Sequence, residues 1–406
     1  MVSSPRYSSK NIDFDNASRC LKILWQDDHC SAFPYVWLRH AQNFPLTGRP
    51  DQSDKSAYRD ADNPLTLTIK SIGLVDDRID IHWGHSIQAT GHSLRQLRDN
   101  CLSTAARAER RPRPKFWQAE EAAEFRWFDA TELEQAASRL DLFIHLRDFG
   151  IALLRNLPTE PGTLNSIVKY FGPARNTHFG YLFDIRSRPA DRSGSGENIG
   201  ATSSNAQSPH TDEGWRHGPP GISLFHCLKP HPGGAGASIF VDGIAAAESL
   251  RSLDPEAFNL LSTVPLLFVA ERNDEERFRS RGKVIALDSD GVVRGIRLTD
   301  RTIAPVDIAL HLVEPVYAAL HTFYRLIVEQ TRCFERQLEA GEMVIFDNHR
   351  VMHARRAFDA AAGERWLQQL SVDREEFHSQ FRQLAESLQR DDLSCWETDA
   401  GALSQP

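Results

Sequence analysis

The residues of this chain best suited to chemistry are two histidines and a carboxylate. His210 and Asp212 lie in Ser208-Pro-His-Thr-Asp212, and His353 closes Phe346-Asp-Asn-His-Arg-Val-Met-His353. Two imidazoles and one carboxylate are the donor set of a facial Fe(II) site, which leaves octahedral positions open for a chelating co-substrate and O2. Both segments border strand-like apolar runs, so two strands could bring them together. A His-x-Asp tripeptide is weak alone, because a chain with 16 histidines contains roughly one by chance.

Arg365 adds a receptor for an anion. It follows His353 within Gly363-Glu-Arg-Trp-Leu-Gln-Gln-Leu-Ser-Val372, which reads as a further strand of the same sheet. A guanidinium is a planar, permanently charged fork suited to bidentate carboxylate binding, so an inward Arg365 matches the distal carboxylate of 2-oxoglutarate. The competing reading is a surface salt bridge.

Further motifs surround these residues in a fixed order. They are Phe33-Pro-Tyr-Val-Trp-Leu-Arg39, Phe149-Gly-Ile-Ala-Leu-Leu-Arg155, Gly218-Pro-Pro-Gly221, Ile239-Phe-Val-Asp-Gly243, Asp254-Pro-Glu-Ala-Phe258 and Gly341-Glu-Met-Val-Ile-Phe-Asp-Asn348. With them the chain resembles, over nearly its full length, the Fe(II)- and 2-oxoglutarate-dependent oxygenases related to taurine dioxygenase and, more closely, gamma-butyrobetaine dioxygenase. The resemblance implies that His210, Asp212 and His353 are iron ligands and the catalytic centre. It also implies that Arg365 and Ser238 hold the far carboxylate of 2-oxoglutarate, and that the enzyme is commonly a homodimer. The expected reaction is oxidative decarboxylation to succinate and CO2 coupled to hydroxylation of a small-molecule substrate by O2. Retention of Asp212 speaks against halogenation, since related halogenases replace that carboxylate with a small residue. Desaturation, epoxidation and cyclisation share the same ligands and stay open.

The expected fold is mainly β with flanking helices: a double-stranded β-helix, or jelly roll, preceded by a small β-rich domain. Residues 1–102 read as short alternating strands, among them Leu65-Thr-Leu-Thr-Ile-Lys70 and Arg78-Ile-Asp-Ile-His-Trp83. Residues 103–117, rich in alanine, arginine and proline, read as a linker. Residues 118–390 form the catalytic domain and 391–406 a tail. Asp129-Ala-Thr-Glu132 reads as a capping box opening a helix that stops near Gly150. A second helix places Leu164, Ile167, Val168 and Phe171 on one face, and Glu314-Pro315 is expected to open a long third helix.

Relatives carry a structural zinc held by three cysteines and a histidine just after the Trp-Leu-Arg motif. Here that stretch reads His40-Ala-Gln-Asn-Phe-Pro-Leu-Thr47 without a cysteine, and His85 alone cannot hold a tetrahedral site. No structural zinc is therefore expected. The 6 cysteines form no Cys-x-x-Cys pair and read as reduced thiols. A net charge of −8 without a long basic run argues against nucleic acid or an anionic membrane as partner. No apolar segment approaches the roughly 20 residues of a membrane span, and the N-terminus lacks a signal-peptide core, so a cytoplasmic enzyme is the default.

Substrate identity is where the chain departs from its relatives. Gamma-butyrobetaine enzymes hold a trimethylammonium in an aromatic cage. Here Phe179 and Phe183 occupy the matching stretch, Thr202 falls where an aromatic is expected, and Glu213 follows Asp212 in place of another aromatic. The expected pocket, lined also by Trp215, receives a small polar or cationic amine with Glu213 as counter-charge, but not the betaine. His226 and Cys227 read as strand core, while His217 and His231 are open between core and ligand. Two rival classes are an iron-binding scaffold without turnover and a cupin-type metal enzyme that needs no oxoacid.

Overall fold

The computed structural model describes residues 5–43, 64–84, 89–111, 114–177, 179–186, 203–272 and 276–394. The chain divides into two compact units, Met1–Pro112 and Arg113–Pro406.

The first unit holds two antiparallel three-stranded sheets. One is built from β1 (Ser9–Asp15), β2 (Cys20–Trp25) and β3 (Cys30–Pro34), the other from β4 (Ile69–Val75), β5 (Arg78–Trp83) and β6 (Thr90–Ser93). The alternation of sequence becomes alternation of burial: Leu21, Ile23 and Trp25 of β2 and Ile79, Ile81 and Trp83 of β5 meet in one core. The segment expected as a linker contains a helix, Thr104–Arg110, because Ser103 caps it by accepting from the Ala106 amide. His85 lies outside the described residues.

The second unit begins with β7 (Trp127–Asp129), β8 (Ile151–Arg155), β9 (Phe183–Arg186), β10 (Gln207–His210), β11 (Ile222–Lys229) and β12 (Ser238–Asp242). It continues with β13 (Leu266–Arg272), β14 (Glu276–Gly282), β15 (Ile285–Leu287), β16 (Val293–Ile296), β17 (Phe334–Arg336), β18 (Met343–Asp347), β19 (Val351–Arg355) and β20 (Trp366–Val372). A six-stranded sheet runs β7-β8-β18-β11-β20-β9 and a four-stranded sheet runs β10-β19-β12-β17. All pairs are antiparallel apart from β7 with β8. From β10 to β12, and again from β17 to β20, each successive strand passes to the other sheet. That alternation is a double-stranded β-helix, the expected architecture.

Aromatic and aliphatic side chains fill the space between the sheets, including Phe225, Phe240, Phe346 and Leu367. On the outer face of the six-stranded sheet, Ile222, Leu224 and Ile345 meet Phe143, Phe171, Phe377 and Phe381 of the covering helices. β11 is thus buried on both faces, which is why it reads as a continuous apolar run. Residues 243–333 form an insertion between β12 and β17, with the β13/β14 and β15/β16 hairpins and helices packed around Phe258, Phe268 and Phe323.

Two helix starts differ from expectation. Asp129 caps only the short turn Ala130–Glu132, by accepting from the Thr131 amide, and the α-helix runs Ala136–Phe149 to a left-handed Gly150. The long helix starts at Leu310, a turn before Glu314, so Pro315 lies inside it and one backbone hydrogen bond is forgone. Among the described residues no helix is long and apolar enough to cross a membrane.

Candidate active site

His210 ends β10 and His353 sits mid-way along β19, and the antiparallel register places them directly opposite each other. Opposed residues of an antiparallel pair project from the same face, so the rings meet with centroids 4.3 Å apart. Asp212, two residues beyond His210, follows the same side. Its Oδ1 is 3.8 Å from His210 Nε2 and 3.6 Å from His353 Nε2. The ligand atoms of all three lie within 4.8 Å of one another.

Each donor is oriented by its surroundings. His210 Nδ1 is 2.8 Å from the Ser208 carbonyl, which holds the proton on Nδ1 and leaves the Nε2 lone pair facing Asp212. His353 is wedged between Phe225 and Phe346, at centroid distances of 5.3 and 5.1 Å. Its Nδ1 meets no hydrogen-bond partner among the described residues, so packing fixes this ring. Burial lowers both histidines, that of His353 to about 3, against the opposing pull of Asp212. Burial pushes the Asp212 carboxyl up, but His353, His210 and the Gln369 amide outweigh it and hold it below its usual value. Two neutral imidazoles and an ionised carboxylate are the protonation states that bind a divalent metal. The donor set therefore fits Fe(II).

The backbone around Asp212 is pinned by Asn348, in the β18–β19 turn. The Asp212 amide donates to Asn348 Oδ1 at 2.7 Å, and Asn348 Nδ2 donates to the carbonyls of Asp212 and Pro220 at 3.2 and 3.0 Å. On the carboxylate itself, Gln369 Nε2 donates to Oδ2 at 2.9 Å.

Beside the triad lie two buried guanidiniums. Arg365, immediately ahead of β20, donates from Nη2 to Ser238 Oγ at 3.2 Å. Arg355, the β-ladder partner of Ser238, donates to the carbonyls of Ser203 and Asn205. Burial pulls both down to about 10, the Arg365 charge adding to the shift at Arg355. Both stay cationic at neutral pH.

A cavity of about 420 Å³ opens over these groups, lined also by Phe179, Phe183, Glu213, Trp215, Thr299 and Arg301. Phe179 and Phe183 stack with centroids 4.1 Å apart. Glu213 is buried with φ 51°. Its carboxylate holds Arg216 at 2.5 Å, so any cationic guest shares that carboxylate with a resident arginine. Trp215 is buried on the same loop. Thr202 lies outside the described residues. His226 and Cys227 are fully buried in β11, His217 is exposed, and His231 holds the Asp359 carbonyl and the Gly233 amide.

Four residues here were not singled out by sequence reasoning: Asn348, Arg355, Gln369 and Arg301. Arg355 is two residues beyond His353 and Gln369 four beyond Arg365, so the two-residue period of a strand puts each on the inward face. That signal was present. Nothing local in Thr299-Asp-Arg301 points to the cavity, because that segment belongs to the insertion.

The family described as Taurine catabolism dioxygenase TauD, TfdA family matches residues 109–371. Gamma-butyrobetaine dioxygenase of Pseudomonas sp. (strain AK-1) is 34% identical, over 88% of this chain and 92% of that protein. Dioxygenase str8 of Strobilurus tenacellus is 28% identical over 82% of this chain and 81% of that protein. Trimethyllysine dioxygenase, mitochondrial, of Bos taurus is 28% identical over 84% and 83%.

Proposed function

The chain belongs to the TauD, TfdA family of Fe(II)- and 2-oxoglutarate-dependent dioxygenases, and we propose that it hydroxylates a small polar or amine-bearing metabolite at an unactivated carbon, releasing succinate and CO2. His210, Asp212 and His353 hold the iron, and Arg365 with Ser238 holds the distal carboxylate of 2-oxoglutarate. Bound iron supplies the oxygen activation and oxidative decarboxylation. The protein's own residues bind, orient and shield.

The observation that carries this reading is the adjacency of the metal-competent triad to two buried guanidiniums in one cavity. A guanidinium beside a metal site suits a carboxylate, and 2-oxoglutarate brings one for Arg365 besides the oxoacid end. The relatives named for gamma-butyrobetaine and trimethyllysine support an amine as the prime substrate. Phe179 and Phe183 offer aromatic faces to such a cation, and Glu213, shared with Arg216, offers charge. Trp215 completes the proposed pocket. We read 1–102 as the small N-terminal domain of the gamma-butyrobetaine enzymes without its zinc, and the whole as a cytoplasmic homodimer, which metal analysis, sedimentation and fractionation test.

Anaerobic titration with Fe(II) and 2-oxoglutarate tests the core of the proposal. A charge-transfer band is expected for the native protein, absent in His210→Ala and weakened in Arg365→Ala. No 2-oxoglutarate binding at all would overturn it. A metabolite screen for substrate-stimulated succinate formation then identifies the substrate. Full, coupled turnover of gamma-butyrobetaine that survives Glu213→Ala would sink the role given to Glu213.

A further inference from the structure

Asp212 presents two oxygens, and something in the protein must choose between them. The terminal torsion of an aspartate is broad and roughly two-fold, so its rotamer preference does not set the roll of the carboxylate. Asn348 does not set it either, since it grips only the backbone of Asp212. The one side-chain hydrogen bond to the carboxylate among the described residues comes from Gln369, whose Nε2 donates to Oδ2 at 2.9 Å. The other oxygen, Oδ1, is the one that faces His210 and His353 at 3.8 and 3.6 Å.

The placement of Gln369 follows from the ladder. β20 pairs with β11 through Phe225 and with β9 through Phe183 at this residue, so Gln369 is held from both sides, one strand in from the edge of the six-stranded sheet. Arg365, Leu367 and Gln369 share one face by the two-residue period of the strand, and all three line the cavity. The stretch that carries the proposed oxoacid arginine thus also carries the group that touches the carboxylate.

We propose that Gln369 is a positioning residue that fixes the roll of the Asp212 carboxylate, presenting Oδ1 to the metal and withholding Oδ2. A carboxylate can bind a metal through one oxygen or both. Two-oxygen binding would occupy one of the positions that a chelating oxoacid and O2 require, and a donor on Oδ2 disfavours it. Partners of this kind typically change metal affinity or activity 10- to 100-fold when removed. The inference rests on the assignment of His210, Asp212 and His353 as the metal site.

The test is Mn(II) affinity by calorimetry, together with the visible spectrum of the Co(II)-substituted protein, for native enzyme, Gln369→Met, Gln369→Glu and His210→Ala. Gln369→Met keeps length but removes the donor, and is expected to weaken Mn(II) roughly 10- to 100-fold and to alter the Co(II) bands while the metal-free protein melts as native. Gln369→Glu, of the same shape but without the amide donor, is expected to show altered Co(II) bands too, which keeps the question open to test if the Met variant fails to fold. Native affinity and native Co(II) spectra in both variants, with binding abolished in His210→Ala, would overturn the role of Gln369 alone. Unchanged binding in His210→Ala would overturn the metal assignment itself.

Discussion

Arg365 reaches Ser238 across 127 residues of sequence, its Nη2 donating to the Ser238 Oγ at 3.2 Å. Ser238 belongs to the four-stranded sheet and Arg365 adjoins β20 of the six-stranded one. The proposed grip on 2-oxoglutarate therefore exists only once both sheets have closed on each other. The two partners should contribute unequally. Arg365→Ala would remove the proposed charge-assisted contact and is expected to raise the KM for 2-oxoglutarate at least tenfold, whereas Ser238→Ala would remove one hydroxyl worth about 1 kcal/mol, or a few-fold. Succinate formation against 2-oxoglutarate concentration measures both.

Asn348 is fully buried and satisfies the amide and carbonyl of Asp212 and the carbonyl of Pro220. Asn348→Leu preserves bulk but strands those groups without partners. A loss of about 2–4 kcal/mol in urea unfolding is expected, since each orphaned buried polar group costs roughly 1–3 kcal/mol. A native-like midpoint would contradict the anchoring role.

Arg297 is buried without a carboxylate beside it among the described residues. It donates to the Gly214 carbonyl at 2.6 Å, to the Arg216 carbonyl and to Ser280 Oγ, and it stacks over Phe268. The loop that carries Glu213 and Trp215 is thus tied to the insertion. Arg297→Met should destabilise the fold by about 2–4 kcal/mol and speed amide hydrogen exchange over residues 213–217. Protection at the native level there would argue against the tie.

His226 lies on the outer face of β11 with neither ring nitrogen partnered among the described residues, and burial lowers its pKa to about 4. In the unfolded chain the ring takes a proton near pH 6.5 and in the folded chain only near 4, so the unfolded state binds more protons in that window. Stability is accordingly full above about 6.5 and falls as pH drops toward 4, by on the order of 3 kcal/mol for this ring. His226→Leu should flatten that part of the curve in chemical unfolding at stepped pH. A slope identical to native would refute the assignment.

The triad and Arg365 stood out in the sequence as candidates by residue type and strand period, and the family likeness gave that pattern its weight. Ser238 was legible only through family likeness, since no local pattern says that a serine of β12 will meet an arginine beyond β19. The helix starts were misplaced for a related reason. Asp129 caps a real turn, but tertiary packing of Leu140, Phe143 and Leu146 decides where the α-helix begins, and no cap signal encodes that. The pairing of Glu213 with Arg216 was visible at a spacing of three residues, yet its significance depends on both being brought to the cavity wall. Asn348 stood within a quoted motif, but its partner Asp212 is 136 residues away.

The insertion between β12 and β17 furnishes Thr299 and Arg301 to the cavity wall, while every proposed holder of iron and oxoacid comes from the barrel strands or their immediate flanks. One part of the cavity wall thus comes from a stretch that supplies none of the proposed iron and oxoacid holders, while the proposed guest contacts Phe179, Phe183, Glu213 and Trp215 come from the barrel and its loops. Exchange of the stretch 243–333 between relatives would therefore renew only one wall of the guest chamber, leaving the oxidant chemistry and the remaining walls as they were.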